Sequence, residues 1–210
     1  WSLGSFGGAL VGVPMAALHV PLLLHVPVVC ILAAGVTWQA AGRYLPPTIT
    51  HEEREAVAFS PWREPRTLAI GVMVLAFALS EGSANDWLAL SLIDGYDVRH
   101  WIGVAGFTVF VCAMMGGRLY GPILLDRYGR APVLWVCAAA TFVGILLVVF
   151  GSWAVAVTLG IVVWGFGASL GFPVGMSAAA DDQARAAARM SVIATIGYAA
   201  FLAGPPLLGF

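Results

Sequence analysis

R-L-Y-G-P-I-L-L-D-R-Y-G-R, residues 118 to 130, is the stretch whose reading decides the fold of this chain. Its charges, Arg118, Asp126, Arg127 and Arg130, stand between residues 104–117 and 131–150, two runs that contain no charge at all. A bare charge in hydrocarbon costs roughly 3 kcal/mol or more, so these side chains belong at a water interface or in a protein-lined cavity. The segment therefore reads as a short charged turn between two membrane spans.

Composition agrees with that reading. Of 210 residues, 60% are hydrophobic and only 10% charged, against about a quarter charged in soluble domains; the mean hydropathy is +0.92. The net charge of −1 says little, and every basic residue is an arginine. Cys30, Cys112 and Cys137 lie inside apolar runs without metal-ligand spacing and read as small hydrophobes in helices. The chain starts at Trp1 and stops at Phe210 within an apolar run, so a piece of a longer protein is expected.

Residues 3–41 are almost wholly apolar, about 58 Å as helix, nearly twice a hydrocarbon core of about 30 Å. They must fold back once, and the prolines and histidines at 19–27 mark the turn, giving helices at about 2–18 and 26–43. Gly4, Gly8 and Gly12 line one face of the first, a spacing that lets helices approach closely in lipid. Residues 43–66 form the one long polar segment, with Glu52, Glu53 and Glu55 and a possible surface helix at 51–58. Five more spans follow, at about 67–93, 101–120, 131–150, 153–178 and 189–209, with only Gly151 and Ser152 to turn between the fifth and sixth. With seven spans alternating, nine of the ten arginines fall on one side and Arg99 alone on the other, which places the arginine-rich loops in the cytoplasm.

The third span carries S-E-G-S-A-N-D-W, residues 80–87. At about 1.5 Å per residue, Glu81 lies roughly 21 Å in and Asp86 about 29 Å, near the outer edge. Glu81 and Asn85 share a face of a regular helix, and Gly82 and Ser83 weaken the helix beside them. Apolar surroundings favour the neutral form of a carboxyl until substrate or water reaches it, which suits proton coupling. The lesser alternative for Glu81 is a structural acid bonded to a neighbouring helix, Asp86 could simply end the span, and Trp87 reads slightly better as an interface-belt aromatic than as a substrate platform. No histidine pair, nucleophile elbow or basic aromatic patch is present, which points away from an enzyme, a cofactor or metal site, and a nucleic-acid partner.

An echo links the two ends of the chain. G-V-P at Gly12 to Pro14 and G-P-P at Gly204, Pro205 and Pro206 lie six helices apart, each with a glycine about two turns upstream, as in a protein of two six-helix halves.

The opening stretch resembles the loop signature of the major facilitator superfamily, in which a glycine precedes a leucine, an aspartate, an arginine, a second glycine and further basic residues. Asp126, Arg127, Gly129 and Arg130 match, with Leu124 two before the aspartate; Gly121 stands one place early, Pro122 takes its position, and Ala131 replaces the last basic residue. That is similar to the degenerate copy in the second half of such proteins. The resemblance implies an all-α polytopic bundle in which this chain covers helices five to eleven of twelve. Residues 1–45 would end the N-terminal half, 46–66 would be the cytoplasmic linker, and 67–210 would form the C-terminal half without its last helix. It also implies a gating loop, Arg118 to Arg130, whose aspartate faces a helix N-terminus and whose arginines hold the closed state. Glu81 followed by Trp87 resembles the seventh helix of sugar-permease-like and rhizopine-transport-type branches, and G-P-P resembles an antiporter motif but has Leu208 where a glycine is wanted. The expectation is a monomeric, proton-coupled secondary transporter of a small polar solute in the cell membrane, with an efflux antiporter or a non-transporting receptor as alternatives.

Overall fold

In lipid no water is available to backbone N–H and C=O groups, so a spanning segment has to satisfy them internally, as a helix does. The computed structural model describes residues 2–18, 20–41 and 61–209, and among these no strand occurs. The helices are α1 Ser2–Ala17, α2 Leu22–Ala41, α3 Pro65–Ser83, α4 Ala89–Tyr96, α5 His100–Tyr128, α6 Arg130–Phe150, α7 Ala154–Ala168, α8 Gly171–Ala179 and α9 Ala186–Leu208. A wider, π-wound turn, Ala84–Leu88, joins α3 to α4 without interruption. Six stretches are long and apolar enough to cross a membrane, among them Pro65–Tyr96 and Ala154–Ala179, which answer to the third and sixth of the seven expected spans; α1 contributes a shorter apolar run, Gly7–Ala17. Most of the expected polar linker, with Arg43, Glu52, Glu53, Arg54, Glu55, His51 and the surface helix at 51–58, lies outside the described residues, as does His19.

Several expected boundaries move, for local reasons. Arg118 to Tyr128 is not a turn: α5 runs through it, and only Gly129 breaks the chain, at φ 80°. Pro122 removes one N–H from that helix, too little to end it when every other residue of the turn still bonds, whereas a left-handed φ is where glycine belongs. The first turn is tighter than expected, since α2 begins at Leu22 and carries Pro27 inside it. The third and fourth spans extend beyond their expected ends, and the sixth is divided at Ser169 and Leu170.

Within lipid, helix association relies on close packing more than on water release. α6 and α7 are tight antiparallel neighbours, as the two-residue turn requires. A Cβ on Gly144 would strike the backbone of Trp164, one on Gly160 the Gly144 carbonyl at 2.9 Å, and one on Gly167 the Thr141 amide nitrogen at 2.5 Å. Gly171 and Gly175 likewise press on Phe77 and Val74 of α3. The stripe in α1 behaves differently from its expectation: Gly4 and Gly8 have open space, and Gly12 meets Val104 only at ordinary distance, 3.8 Å. α1 instead meets α5 at the Thr108 hydroxyl, which lies 2.9 Å from the Val104 carbonyl of its own helix and 3.3 Å from the Ala9 carbonyl and can donate to either. At the far end Gly204 lies against Leu79, while Pro14 sits inside α1 and Pro205 continues α9. The core joins the π-wound turn to α5 and α7 through Leu88, Phe110, Val111 and Trp164, with the Phe110 and Trp164 rings edge-on at 5.5 Å. α2 stands apart, its Leu23, Ile31 and Trp38 exposed.

Candidate functional site: a buried ion pair at a broken span

Glu81 lies near the middle of the third span, about 24 Å from its Pro65 end and about 22 Å from its Tyr96 end. It is not an isolated acid. Arg118, about 15 Å before the end of α5, places Nη2 at 3.2 Å from Oε1 and 3.4 Å from Oε2. Glu81 is buried, its side chain 5% exposed, and Arg118 is half-buried at 17%. A buried ion pair offsets its desolvation only when further hydrogen bonds support it. Here the support comes from Ser169, whose carbonyl accepts from Arg118 Nε at 3.1 Å.

That carbonyl is free for a reason written in the sequence. In an α-helix it would accept from the amide of residue 173, and residue 173 is a proline, which has none. The break between α7 and α8 thus leaves an acceptor in the protein interior, and Arg118 takes it. Gly117 makes the approach possible, because a Cβ there would collide with the Ser169 side chain. The Ser169 hydroxyl turns back to the Phe166 carbonyl at 2.6 Å, and Trp164 Nε1 donates to the Ser80 hydroxyl at 2.8 Å beside Glu81.

The remaining residues of the polar string are placed differently. The π-wound turn shifts the register after Gly82, so Ala84 and Leu88 are buried while Asn85 and Asp86 are exposed; Asn85 does not share the face of Glu81. Asp86 does not end the span, which continues to Tyr96. Trp87, half-buried and about 13 Å inside that end, is not at a span end either. It lines a cavity of about 610 Å³ with Ser83, Ser91, Tyr96, Phe150 and Trp164. The Tyr96 hydroxyl closes the cavity's end by reaching the carbonyls of Val148 and, at 3.0 Å, Gly151.

A second charged group ties the opposite ends of these spans. Glu64, just before α3, meets Arg189 of α9 at 2.8 and 2.5 Å and accepts from Thr67 at 2.7 Å. Arg189 also reaches Asp182 at 3.4 Å. Asp181 accepts from Arg130 at 2.8 and 2.9 Å and from Arg66 at 2.8 Å, and Arg130 donates to Ser177 at 3.0 Å. The Arg189 guanidinium holds the Glu64 carboxyl below its ordinary value, and Arg130 does the same for Asp181. Of the expected gating residues, Arg130 therefore bonds across helices, Gly129 makes the break, Gly121 packs on Leu170, Arg127 lies 5.3 Å over the Tyr128 ring, and Asp126 is exposed. Arg118 belongs to the buried pair instead.

Sequence reasoning missed the pairing of Arg118 with Glu81 and the parts played by Glu64, Ser169, Asp181 and Arg189. One signal was available: Arg118 stands eight residues before the next charge and follows a charge-free run, so it needed an interior partner as much as Glu81 did.

Taken together, these features define a multi-pass helical membrane protein with an ion pair at the centre of its packed spans. The chain belongs to the Major Facilitator Superfamily, whose family model matches residues 1–205. It is 30% identical over 217 residues to an uncharacterized transporter of Sinorhizobium fredii, covering 100% of this chain and 55% of that protein. It is 35% identical over 143 residues to an uncharacterized MFS-type transporter of Yersinia pestis, covering 67% and 37%. It is 23% identical over 171 residues to the membrane protein MosC of Rhizobium meliloti, covering 80% and 42%. The chain thus spans about half the length of the curated relatives it matches. No solved structure matches it significantly.

Proposed function

We propose that the whole protein is a secondary transporter that moves a small polar solute across the cell membrane by alternating access, with proton coupling through Glu81. The observation that carries this reading is the Glu81–Arg118 pair, a carboxylate and a guanidinium buried mid-span against a broken helix. Intramembrane ionisable pairs mark solute and ion pathways because their burial is too unfavourable to be kept without use. Discontinuous spans put free backbone acceptors at the same depth.

In this reading residues 1–45 close one half of the molecule, 46–66 link the halves on the cytoplasmic side, and 67–210 belong to the second half. Arg130, Asp181, Arg66, Glu64 and Arg189 clamp the cytoplasmic ends of the second half's spans, and Asn85 and Asp86 face the solute path. The protein acts as a monomer surrounded by lipid. The family relationship and the relatives described as transporters support this reading. Solute counterflow in proteoliposomes of the full-length protein tests it: saturable exchange supports transport, and saturable binding without exchange rejects it in favour of a receptor. Solute-driven proton uptake that survives Glu81→Gln undiminished removes that residue from the coupling.

A further inference from the structure

Arg118 and Glu81 are unequal partners. Both Glu81 oxygens lean on a single nitrogen, Nη2, at 3.2 and 3.4 Å, longer than the roughly 2.7–2.9 Å of a good charge-assisted bond. Arg189 in the same molecule grips Glu64 with two nitrogens at 2.8 and 2.5 Å. Arg118 is anchored independently of Glu81 by the Ser169 carbonyl, which accepts from Nε at 3.1 Å. Arg118 is also the more reachable of the two, 17% exposed against 5%. A guanidinium fixed by a neutral acceptor, partly accessible and loosely held by its own acid, is built to exchange one carboxylate for another.

We propose that Arg118 is an anion receptor whose resting occupant is the Glu81 carboxylate, and that the transported solute is a small organic monocarboxylate that takes Glu81's place there. This inference rests on the transporter reading and narrows its solute class. A neutral solute that parted the pair would break an interior contact between opposite charges without replacing it, which is strongly unfavourable. An incoming carboxylate keeps Arg118 paired, and Glu81 accepts one proton from water on the solute's side. The added charge is then −1 from the solute and +1 from the proton, so the site keeps its charge and one proton travels with each monocarboxylate. The groups around Glu81 leave that exchange to Arg118. Ser80 on its own helix is engaged by Trp164 of α7, the α7–α8 break offers the Ser169 carbonyl, and α9 offers Phe201 against Gly82. Arg118 is the charged group acting on Glu81 among the described residues.

Acetate and acetamide have nearly the same shape and differ in charge, and they probe the receptor without knowledge of the solute. Thermal unfolding of the full-length protein is followed with increasing sodium acetate, or acetamide at matched sodium chloride, in wild type, Glu81→Ala and Glu81→Ala/Arg118→Gln. Acetate should raise the Tm of Glu81→Ala saturably and acetamide should not. The double variant should not respond, and wild type, where Glu81 competes, should half-saturate about ten-fold higher or more. If Glu81→Ala does not fold, Glu81→Gln, which keeps the side-chain volume, replaces it in the series. Absence of an acetate response, an equal response to acetamide, or a response that persists without Arg118 overturns the proposal. Counterflow that succeeds while acetate fails leaves the transporter reading standing and removes the carboxylate; an acetate response that needs Arg118 supports the receptor whatever counterflow gives.

Discussion

Arg118 and Glu81 lie 37 residues apart in sequence and meet because three small facts coincide: Gly117 lets α5 close on the span break, Pro173 withholds an amide, and the freed Ser169 carbonyl catches Arg118 Nε. At this scale the neighbouring bond from Trp164 to Ser80 is the simplest to test. Trp164 is buried, so Ser80→Ala leaves an indole N–H without an acceptor and should destabilise the full-length protein by about 1–3 kcal/mol, read from thermal or denaturant unfolding. The presence of Glu81 inside a span was legible in the sequence, because apolar residues surround it on both sides. Its partner was not. Arg118 was grouped with Asp126, Arg127 and Arg130 by proximity in the chain, and nothing local says that α5 continues past Arg118 to Tyr128.

The helices themselves were the most legible level, since runs of apolar residues of bilayer length fix their number and approximate position. Their interruptions were read less well. Gly82 and Ser83 flagged a weak point, yet the outcome was a π-wound turn that moves Asn85 off the Glu81 face rather than an opened helix. Gly-x-x-x-Gly spacing was equally ambiguous: a Cβ on Gly167, Gly171 or Gly175 would collide with a neighbouring helix, whereas one on Gly4 or Gly8 would meet open space, because spacing alone does not say which face meets a neighbour. Two substitutions follow at this scale. Gly167→Ala drives a methyl group into the Thr141 and Cys137 backbone and should cost about 1–3 kcal/mol of stability. Pro173→Ala supplies the missing amide to the Ser169 carbonyl and so competes with Arg118 for it. Hydrogen exchange in the full-length protein should then find a protected amide at 173, and an amide that exchanges freely there would mean that the break does not depend on the proline.

Among the described residues, the ion pairs fall into one mid-span pair and one clamp at the span ends, where Glu64, Asp181 and Asp182 hold Arg66, Arg130, Arg185 and Arg189. Both Glu64 and Asp181 titrate below their ordinary values of 4.5 and 3.8. A depressed carboxyl stabilises the folded state above its unfolded value and loses that contribution as pH falls through its folded value. The Tm of the full-length protein should therefore fall on acidification from about pH 4.5 downward, and Glu64→Gln combined with Asp181→Asn should flatten that limb of the curve. An unchanged acid limb would show that the clamp adds nothing to stability.

The central claim is that Glu81 and Arg118 depend on one another inside the packed spans. A double-mutant cycle on the full-length protein, with Glu81→Gln, Arg118→Gln and both together compared by unfolding in the same detergent, measures that dependence directly. Each single variant strands a buried charge and should lose about 3–5 kcal/mol, while the double variant should recover much of that loss. Losses that simply add would contradict the pairing and the account built on it.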